Sequence, residues 1–549
     1  MAKAGGKTHG ATSAAAKPTS LDALIIGAGF AGLYQLHALR DRLGLSVRVL
    51  EAADGVGGTW YWNRYPGARC DSESHAYCFT FSEELLRDWE WSERYPQQPE
   101  VLRYLNFAAD RLDLKRSIGF GTRAVAAHYD AASSRWQVTT AAGERLSAQF
   151  LITAVGCLST ANIPRIPGLG SFAGPVVHTG QWPHDGVDFR GKRVGQIGTG
   201  STGIQSAPVI ARTARHLTVF QRTANYSVPA RNVPLTPAFR REVKADFAKI
   251  KKLMHATQNG HAFALADRDV FDVTPAERQQ IYEDAWLKGG LQFRATFRDL
   301  LQTKAANDTA AEFIRAKIRV IVKDPATAEK LADIDHPYAA KRPPIDTDYF
   351  ETFNRDNVSL VDLRATPIEA ITPDGLRTRD REYPLDVIVF ATGFDAMTGA
   401  LLRIDIRGRD GLSLADAWKV GPSNYLGLQV AGFPNMFTIT GPGSPSVLTN
   451  MPVAIEQHVE WITDCIVHMR AAGHERIEAT AEAAEAWVGE VNATADATLL
   501  PQAHHSWYLG ANVPGKPRVF MPYAGGMAHY RRICAKVAAK GYDGFSFGR

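Results

Sequence analysis

Residues 21–51 read LDALIIGAGFAGLYQLHALRDRLGLSVRVLE, and the order of residue types in that stretch sets the fold class. The apolar run ALIIGAG (23–29) has the character of a parallel strand buried on both faces. It turns through Gly27-Ala28-Gly29-Phe30-Ala31-Gly32, a G-x-G-x-x-G, into apolar residues at helical spacing from about Phe30, and SVRVLE returns as a strand. The first glycine permits the tight turn, the second lets backbone approach a pyrophosphate, and the third lets helix pack closely on strand. The helix N-terminus then stabilises phosphate charge. Glu51 ends the return strand, where a carboxylate can accept both hydroxyls of an adenosine ribose. The hexapeptide alone is a weak signal; with strand, helix and acid around it, it marks a dinucleotide site.

The same grammar recurs in KRVGQIGTGSTGIQSAPVIARTARHLTVFQR (192–222), through Gly198-Thr199-Gly200-Ser201-Thr202-Gly203. Here the second strand ends in Arg222 where an acid would select NAD, and an arginine there favours a 2′-phosphate, hence NADP. Two sites of opposite ribose chemistry in one chain imply a flavin beside a nicotinamide, and so an enzyme that passes a hydride.

The 549 residues are too many for one core. With 45% apolar and 22% charged residues the composition is that of an ordinary soluble protein. A net charge of +5 without a Lys/Arg block gives no reason to expect nucleic acid, and no apolar run is long enough to cross a membrane. Five cysteines without a C-x-x-C pair suit neither zinc nor a redox disulfide, so no metal is expected and a cytoplasmic location is. Residues 1–20 are small and polar and read as a disordered tail. The fold class is α/β, with two Rossmann-like dinucleotide-binding domains and a helical insert. The FAD-binding domain is expected over 21–158 and again over 389–549, the NADP-binding domain over 159–230 and 339–388, and the insert over 231–338.

Between the two fingerprints lies GVGGTWYWNRYPGARCD (55–71), too rich in glycine, aromatics and arginine for a plain connector. It fits G-G-x-W-x-x-x-x-[FY]-P-G-x-x-x-D through Gly57, Gly58, Trp60, Tyr65, Pro66, Gly67 and Asp71. FAGPVVHTGQWP (172–183) fits F-x-G-x-x-x-H-x-x-x-W-P just before the second fingerprint. Together with FATGFDAMTGAL (390–401) and GANVPGKPRVFMPYAGG (510–526), these motifs make the chain resemble the type I Baeyer–Villiger monooxygenases, nearest to their phenylacetone- and steroid-oxidising members. The resemblance extends from about Leu21 to the C-terminus.

That resemblance implies non-covalent FAD, NADPH, O₂ and a small ketone as the partners of a chain that works as a monomer. It implies insertion of one oxygen beside the carbonyl, through a C4a-peroxyflavin and a Criegee adduct, to give an ester or lactone, with sulfoxidation as a side activity. The catalytic cation falls on Arg342 in AAKRPPIDTDYF (339–350), with Asp71 to orient it. Thr59, Trp60, Trp62, Asp71, Tyr77 and Met451 are the implied flavin contacts. Lys341, Arg222 and Thr223 are implied for the 2′-phosphate, and Trp507 for the nicotinamide ribose. Ser446, Val447 and Leu448, in GPGSPSVLTNM (441–451), are implied to border the substrate. His178 reads as a structural residue between domains, and Pro343-Pro344 as a stiffening of the strand after Arg342. Aromatic, cyclic, linear and steroid ketones are not separated at this level. The rival readings are an N-hydroxylating or sulfur-oxidising flavin monooxygenase, a disulfide reductase (disfavoured by the missing cysteine pair) and an idle flavin-binding sensor.

Overall fold

The structure, a computed structural model, describes residues 19–549. The strand expected at 23–29 spans Thr19–Ile26, so Thr19 and Ser20 belong to a strand rather than to the tail; the rest of the expected tail lies outside the described residues. That strand pairs in parallel with Val47–Leu50 on one side and Arg145–Thr153 on the other. Its four last residues are buried, as two-sided packing requires.

Arg145–Thr153 serves two neighbours on its second edge. Its first half pairs antiparallel with Arg135–Thr140, which pairs in turn with Ala124–Asp130. Its last three residues take Met436–Thr438 in parallel. The strand Asp405–Arg407 adds to Ala124–Asp130. The C-terminal third of the chain thus completes the first sheet. Its long helix, Met451–Ala472, lies against the helix Phe30–His37, where Gln35 Nε2 donates to Thr463 Oγ1 at 3.3 Å.

The second sheet is all parallel, in the order Val358–Asp362, His216–Gln221, Arg193–Ile197, Val387–Phe390, Val176–His178. A domain boundary at 388 would cut the strand Val387–Phe390, so the second segment of this domain reaches Phe390. The stretch 231–338 is helical, with helices at Pro237–Ala245, Phe247–Ala256, Pro275–Lys288, Lys304–Ile321 and Pro325–Ala332. Its core is continuous with that of the second sheet: Phe293, Phe313 and Ile314 share one buried cluster with Val194, Leu217 and Val389. Among the described residues no helix is long and apolar enough to cross a membrane.

Candidate active site

The first fingerprint is built as a cradle. Gly27 has φ +106°, and a Cβ on it would lie 2.5 Å from the Ala154 carbonyl oxygen; one on Gly32 would lie 1.8 Å from that of Gly27. Glu51 is buried, and its two carboxylate oxygens accept the amides of Ala28 at 2.7 Å and Ala53 at 2.8 Å. Burial pushes its pKa up, against the pull of those amides. Each oxygen keeps a lone pair for a ribose hydroxyl.

The loop 55–71 closes over this cradle. Gly58, at φ +53°, stands so near Gly29 that a Cβ on it would lie 3.0 Å from the Gly29 Cα, which is why the loop opens on paired glycines. Trp60, in the single helical turn Thr59–Trp62, donates from Nε1 to the Tyr77 hydroxyl at 3.2 Å, and Tyr77 stands edge-on to Phe30 at 5.3 Å. Trp62 is half-buried beside Tyr61, while Thr59 is exposed. Asn450, just before Met451, donates to the Ala76 carbonyl at 2.6 Å and so brings the far segment to the same wall. A glycine cradle, a ribose acid and an aromatic wall fit FAD. At its other end the loop reaches the second domain, where the Tyr65 hydroxyl donates to Gln205 Oε1 at 2.7 Å.

The second cradle repeats the backbone. Gly198 has φ +112°, with a Cβ position 2.4 Å from the Ala391 carbonyl oxygen, and Gly203 sits equally tight on Gly198. Gly200, the residue before the helix Ser201–Ala211, has nothing within 4 Å of its Cβ position. Thr199 Oγ1 donates to the Thr223 carbonyl at 2.7 Å, and the Thr202 and Thr179 hydroxyls meet at 3.0 Å. Arg222 is exposed beyond the strand end. Lys341 feels its charge: the Lys341 pKa is lowered by burial first and by Arg222 as well, with Asp335 opposing.

Arg342 follows directly. Its Nε and Nη2 donate to the two Asp71 oxygens at 2.5 and 2.9 Å, and its Nη1 donates to the carbonyls of Val447 and Thr449, each at 3.2 Å. Its backbone N–H donates to the Tyr508 hydroxyl at 3.1 Å. Of five guanidinium N–H groups, four are committed and one on Nη2 is left. Burial opposes the charge, but Asp71 outweighs it and the Arg342 pKa is raised. Burial likewise pushes Asp71 up, and Arg342 overcomes it to hold the carboxyl below its usual range. The pair is a fixed, permanently ionised group at a point where four separate chain segments meet.

With this geometry in place, the comparisons with known proteins are decisive. The family pattern described as flavin-binding monooxygenase-like matches residues 22–232. A Baeyer–Villiger monooxygenase of Pseudooceanicola batsensis is 46% identical over 525 residues, covering 95% of each chain. The chain belongs to the Baeyer–Villiger monooxygenases. A steroid monooxygenase structure bound to NADP superposes with a TM-score of 0.92 at 52% identity, covering 96% of this chain and 99% of that one. Phenazine N-monooxygenase of Lysobacter antibioticus is 45% identical over 530 residues, covering 96% and 97%. As a Baeyer–Villiger monooxygenase, this enzyme uses FAD and NADPH to insert oxygen next to a ketone carbonyl.

In this Baeyer–Villiger enzyme Ser446, Val447 and Leu448 form a short 3₁₀ turn, and Val447, Leu448, Met451, Trp507 and Tyr508 share one apolar cluster with Cys157. Trp507 is half-buried, 4.5 Å from the Tyr508 ring. His178 is buried at the end of its strand; Nδ1 accepts the Gly180 amide at 2.9 Å, and burial lowers its pKa to about 4. A neutral, enclosed imidazole fits a structural role.

Several residues around Arg342 carry no sequence signal. The Val447 and Thr449 carbonyls act through backbone, which every residue has. The Tyr508 hydroxyl stands next to the motif tryptophan, and that adjacency was the only hint of it. His261 lies close enough to feel both Asp71 and Arg342, and burial first, then Arg342, lowers its pKa to about 3. It is neutral and does not compete with Arg342 for Asp71. Asn307, on the insert helix Lys304–Ile321, clamps the Tyr338 backbone from both sides, with Nδ2 donating to its carbonyl at 2.9 Å and Oδ1 accepting its amide at 2.7 Å. The insert thereby anchors the segment that carries Lys341 and Arg342.

Proposed function

We propose that Arg342, held by Asp71, is the catalytic cation of this Baeyer–Villiger oxidation, in which ketone, O₂, NADPH and a proton become ester or lactone, water and NADP⁺. The observation that carries the assignment is the two-pronged Arg342–Asp71 pair with one N–H left over. Bound FAD and NADPH supply two-electron reduction and the capture of O₂. The chain's own residues do the rest. Attack on the ketone carbonyl gathers negative charge on oxygen, and a guanidinium fixed beforehand stabilises that charge without reorganising. Asp71 is the positioning residue: it fixes the plane of the guanidinium. The Val447 and Thr449 carbonyls tie that plane to the segment that borders the substrate.

Gly27, Gly29, Gly32 and Glu51 hold the FAD diphosphate and ribose in this reading, with Thr59, Trp60, Trp62, Tyr77 and Met451 along the flavin. Gly198, Thr199, Gly200, Ser201, Thr202 and Gly203 take the NADPH pyrophosphate, Arg222, Thr223 and Lys341 its 2′-phosphate, and Trp507 its nicotinamide ribose. Steroid and phenylacetone-like ketones are the proposed substrate class, supported by the 52% identity to a steroid monooxygenase. The five free, buried thiols support a cytoplasmic enzyme, and the family resemblance a monomeric one.

Replacing Arg342 by alanine is expected to leave anaerobic flavin reduction by NADPH in place while ester formation falls at least about a hundredfold. Near-normal ester yield in that variant, measured by gas chromatography of the product, would overturn the assignment. A second reading, oxidation of an aromatic nitrogen, has one observation in its favour, the 45% identical phenazine N-monooxygenase. Product analysis with a ketone and with a phenazine separates the two.

A further inference from the structure

The segments that carry Asp71 and Arg342 lie 271 positions apart, and each is tied by hydrogen bonds to the helical insert. On the Asp71 side the tie is Glu73, two residues on. Its Oε1 accepts Arg94 Nε at 2.8 Å and, from the insert, Gln292 Nε2 at 3.3 Å; Arg94 Nη2 stands 2.7 Å from the same oxygen. Arg94 Nη1 donates to the carbonyl of Lys288, the last residue of the insert helix Pro275–Lys288, at 2.7 Å. The backbone is laced to match. The Cys70 amide donates to the Pro96 carbonyl at 2.9 Å and the Ser74 amide to the Arg94 carbonyl at 2.8 Å, so Asp71 lies between two fixed points.

On the Arg342 side the tie is the buried Asn307, whose side chain closes on the Tyr338 backbone where the insert ends, four residues before the arginine. The two ties are joined inside the insert. Phe293, next to Gln292, stacks on Tyr282 and Phe313 at 5.4 and 5.6 Å and meets the Tyr338 ring edge-on at 5.6 Å. Phe313 and Asn307 stand on one helix, Lys304–Ile321, and Tyr282 on Pro275–Lys288. A closed circuit therefore runs from Asp71 through Glu73, Gln292, Phe293 and Tyr338 to Arg342, and back through the ion pair. Glu73 and Arg94 keep only 14% and 16% of their side-chain exposure. An ion pair so enclosed adds little net stability, because desolvation offsets the attraction; what it contributes is geometry.

We propose that the helical insert is the common support that sets Asp71 and Arg342 against each other, with Glu73 and Asn307 as positioning residues for the pair. Asp71 fixes the plane of the guanidinium, and the insert fixes where that plane stands. A misplacement of about 1 Å, caused far from the chemistry, can cost about a hundredfold in rate. The inference rests on the reading of Arg342 as the catalytic cation and adds to it what keeps the cation in register.

Glu73→Gln keeps the shape of the side chain and removes the charge that holds Arg94. In the FAD-loaded enzyme with NADPH and a ketone, it is expected to lower kcat for ester formation about tenfold, with anaerobic flavin reduction changed less than about twofold. NADPH and O₂ then end as NADP⁺ and hydrogen peroxide. In an Asp71→Asn background the same substitution is expected to cost less than about twofold, because it acts through a pair already broken. Gln292→Ala, a milder cut in the same circuit, is expected to lose about threefold. Hydrogen exchange adds a readout besides activity: Glu73→Gln is expected to speed exchange in peptides covering 338–342 as well as 69–74, with 145–153 unchanged. Equal losses of ester formation and flavin reduction overturn the proposal, as do losses from Glu73→Gln and Asp71→Asn that multiply. So does faster exchange confined to 69–74. Faster exchange in both segments, together with normal ester formation in Asp71→Asn, supports the shared support and counts against the catalytic reading of Arg342 instead.

Discussion

The two glycine cradles have nearly the same backbone and opposite surroundings. Gly27 and Gly198 share a left-handed φ and a carbonyl 2.4–2.5 Å from the Cβ position, so each turn is closed to any residue but glycine. At the second glycine they part. Gly29 is roofed by Gly58 of the aromatic loop, whereas Gly200 faces open space. The acid of the first cradle, Glu51, is buried; the cation of the second, Arg222, is exposed. A covered cradle suits a cofactor that stays, and an open one suits a cofactor that enters and leaves each turnover. The difference lies in the loop 55–71 and not in either fingerprint.

The sharpest way to break that contrast is one methyl group. Gly29→Ala fills the slot between fingerprint and roof, and Gly58→Ala adds a side chain at φ +53° against Gly29. Both are expected to purify with less than about a tenth of the wild-type flavin, read from absorbance near 450 nm, because the backbone can no longer approach the pyrophosphate. Gly200→Ala is expected to retain its flavin and raise the KM for NADPH about tenfold. Equal flavin loss at positions 29 and 200 would remove the distinction between a resident and an exchanging site.

A smaller effect sharpens the second cradle. Alanine at both Arg222 and Lys341 removes two charge-assisted contacts of about 1.5–3 kcal/mol each. The preference for NADPH over NADH is then expected to fall at least about a hundredfold in kcat/KM, chiefly through the KM for NADPH. A preference that survives the double change would place the 2′-phosphate elsewhere.

The local grammar of both cradles was legible because a buried parallel strand, a glycine turn and a helix each leave a short-range pattern. Pairings between distant segments leave none. Met436–Thr438 joins the strand Arg145–Thr153 from almost three hundred residues away, and nothing within either stretch announces it. The strand Val387–Phe390 looks like any buried strand, so its place in the second sheet was missed by the boundary at 388. Asp71 and Arg342, 271 positions apart, could be paired only through the family resemblance.

Two buried carboxylates, Glu51 at the first cradle and Asp346 in the segment after Arg342, differ in support. Glu51 accepts two backbone amides at 2.7 and 2.8 Å, which offset much of what burial costs its charge. Asp346, four residues past Arg342, accepts the Ser227 hydroxyl at 2.5 Å and the Tyr349 amide at a longer 3.2 Å. Burial raises its pKa to about 7. The unfolded chain releases that proton near pH 4, so between about pH 4 and 7 the folded state binds the extra proton. The stability this contributes is full below pH 4 and is lost as pH rises through 7. Asp346→Asn stays uncharged across the range, and an amide can still donate to the Ser227 oxygen. The thermal midpoint of wild type is therefore expected to fall from pH 5 to pH 8 more steeply than that of Asp346→Asn, by a few degrees at most. Parallel curves would mean that Asp346 ionises in the fold without penalty, and the two carboxylates would then be equally well supported.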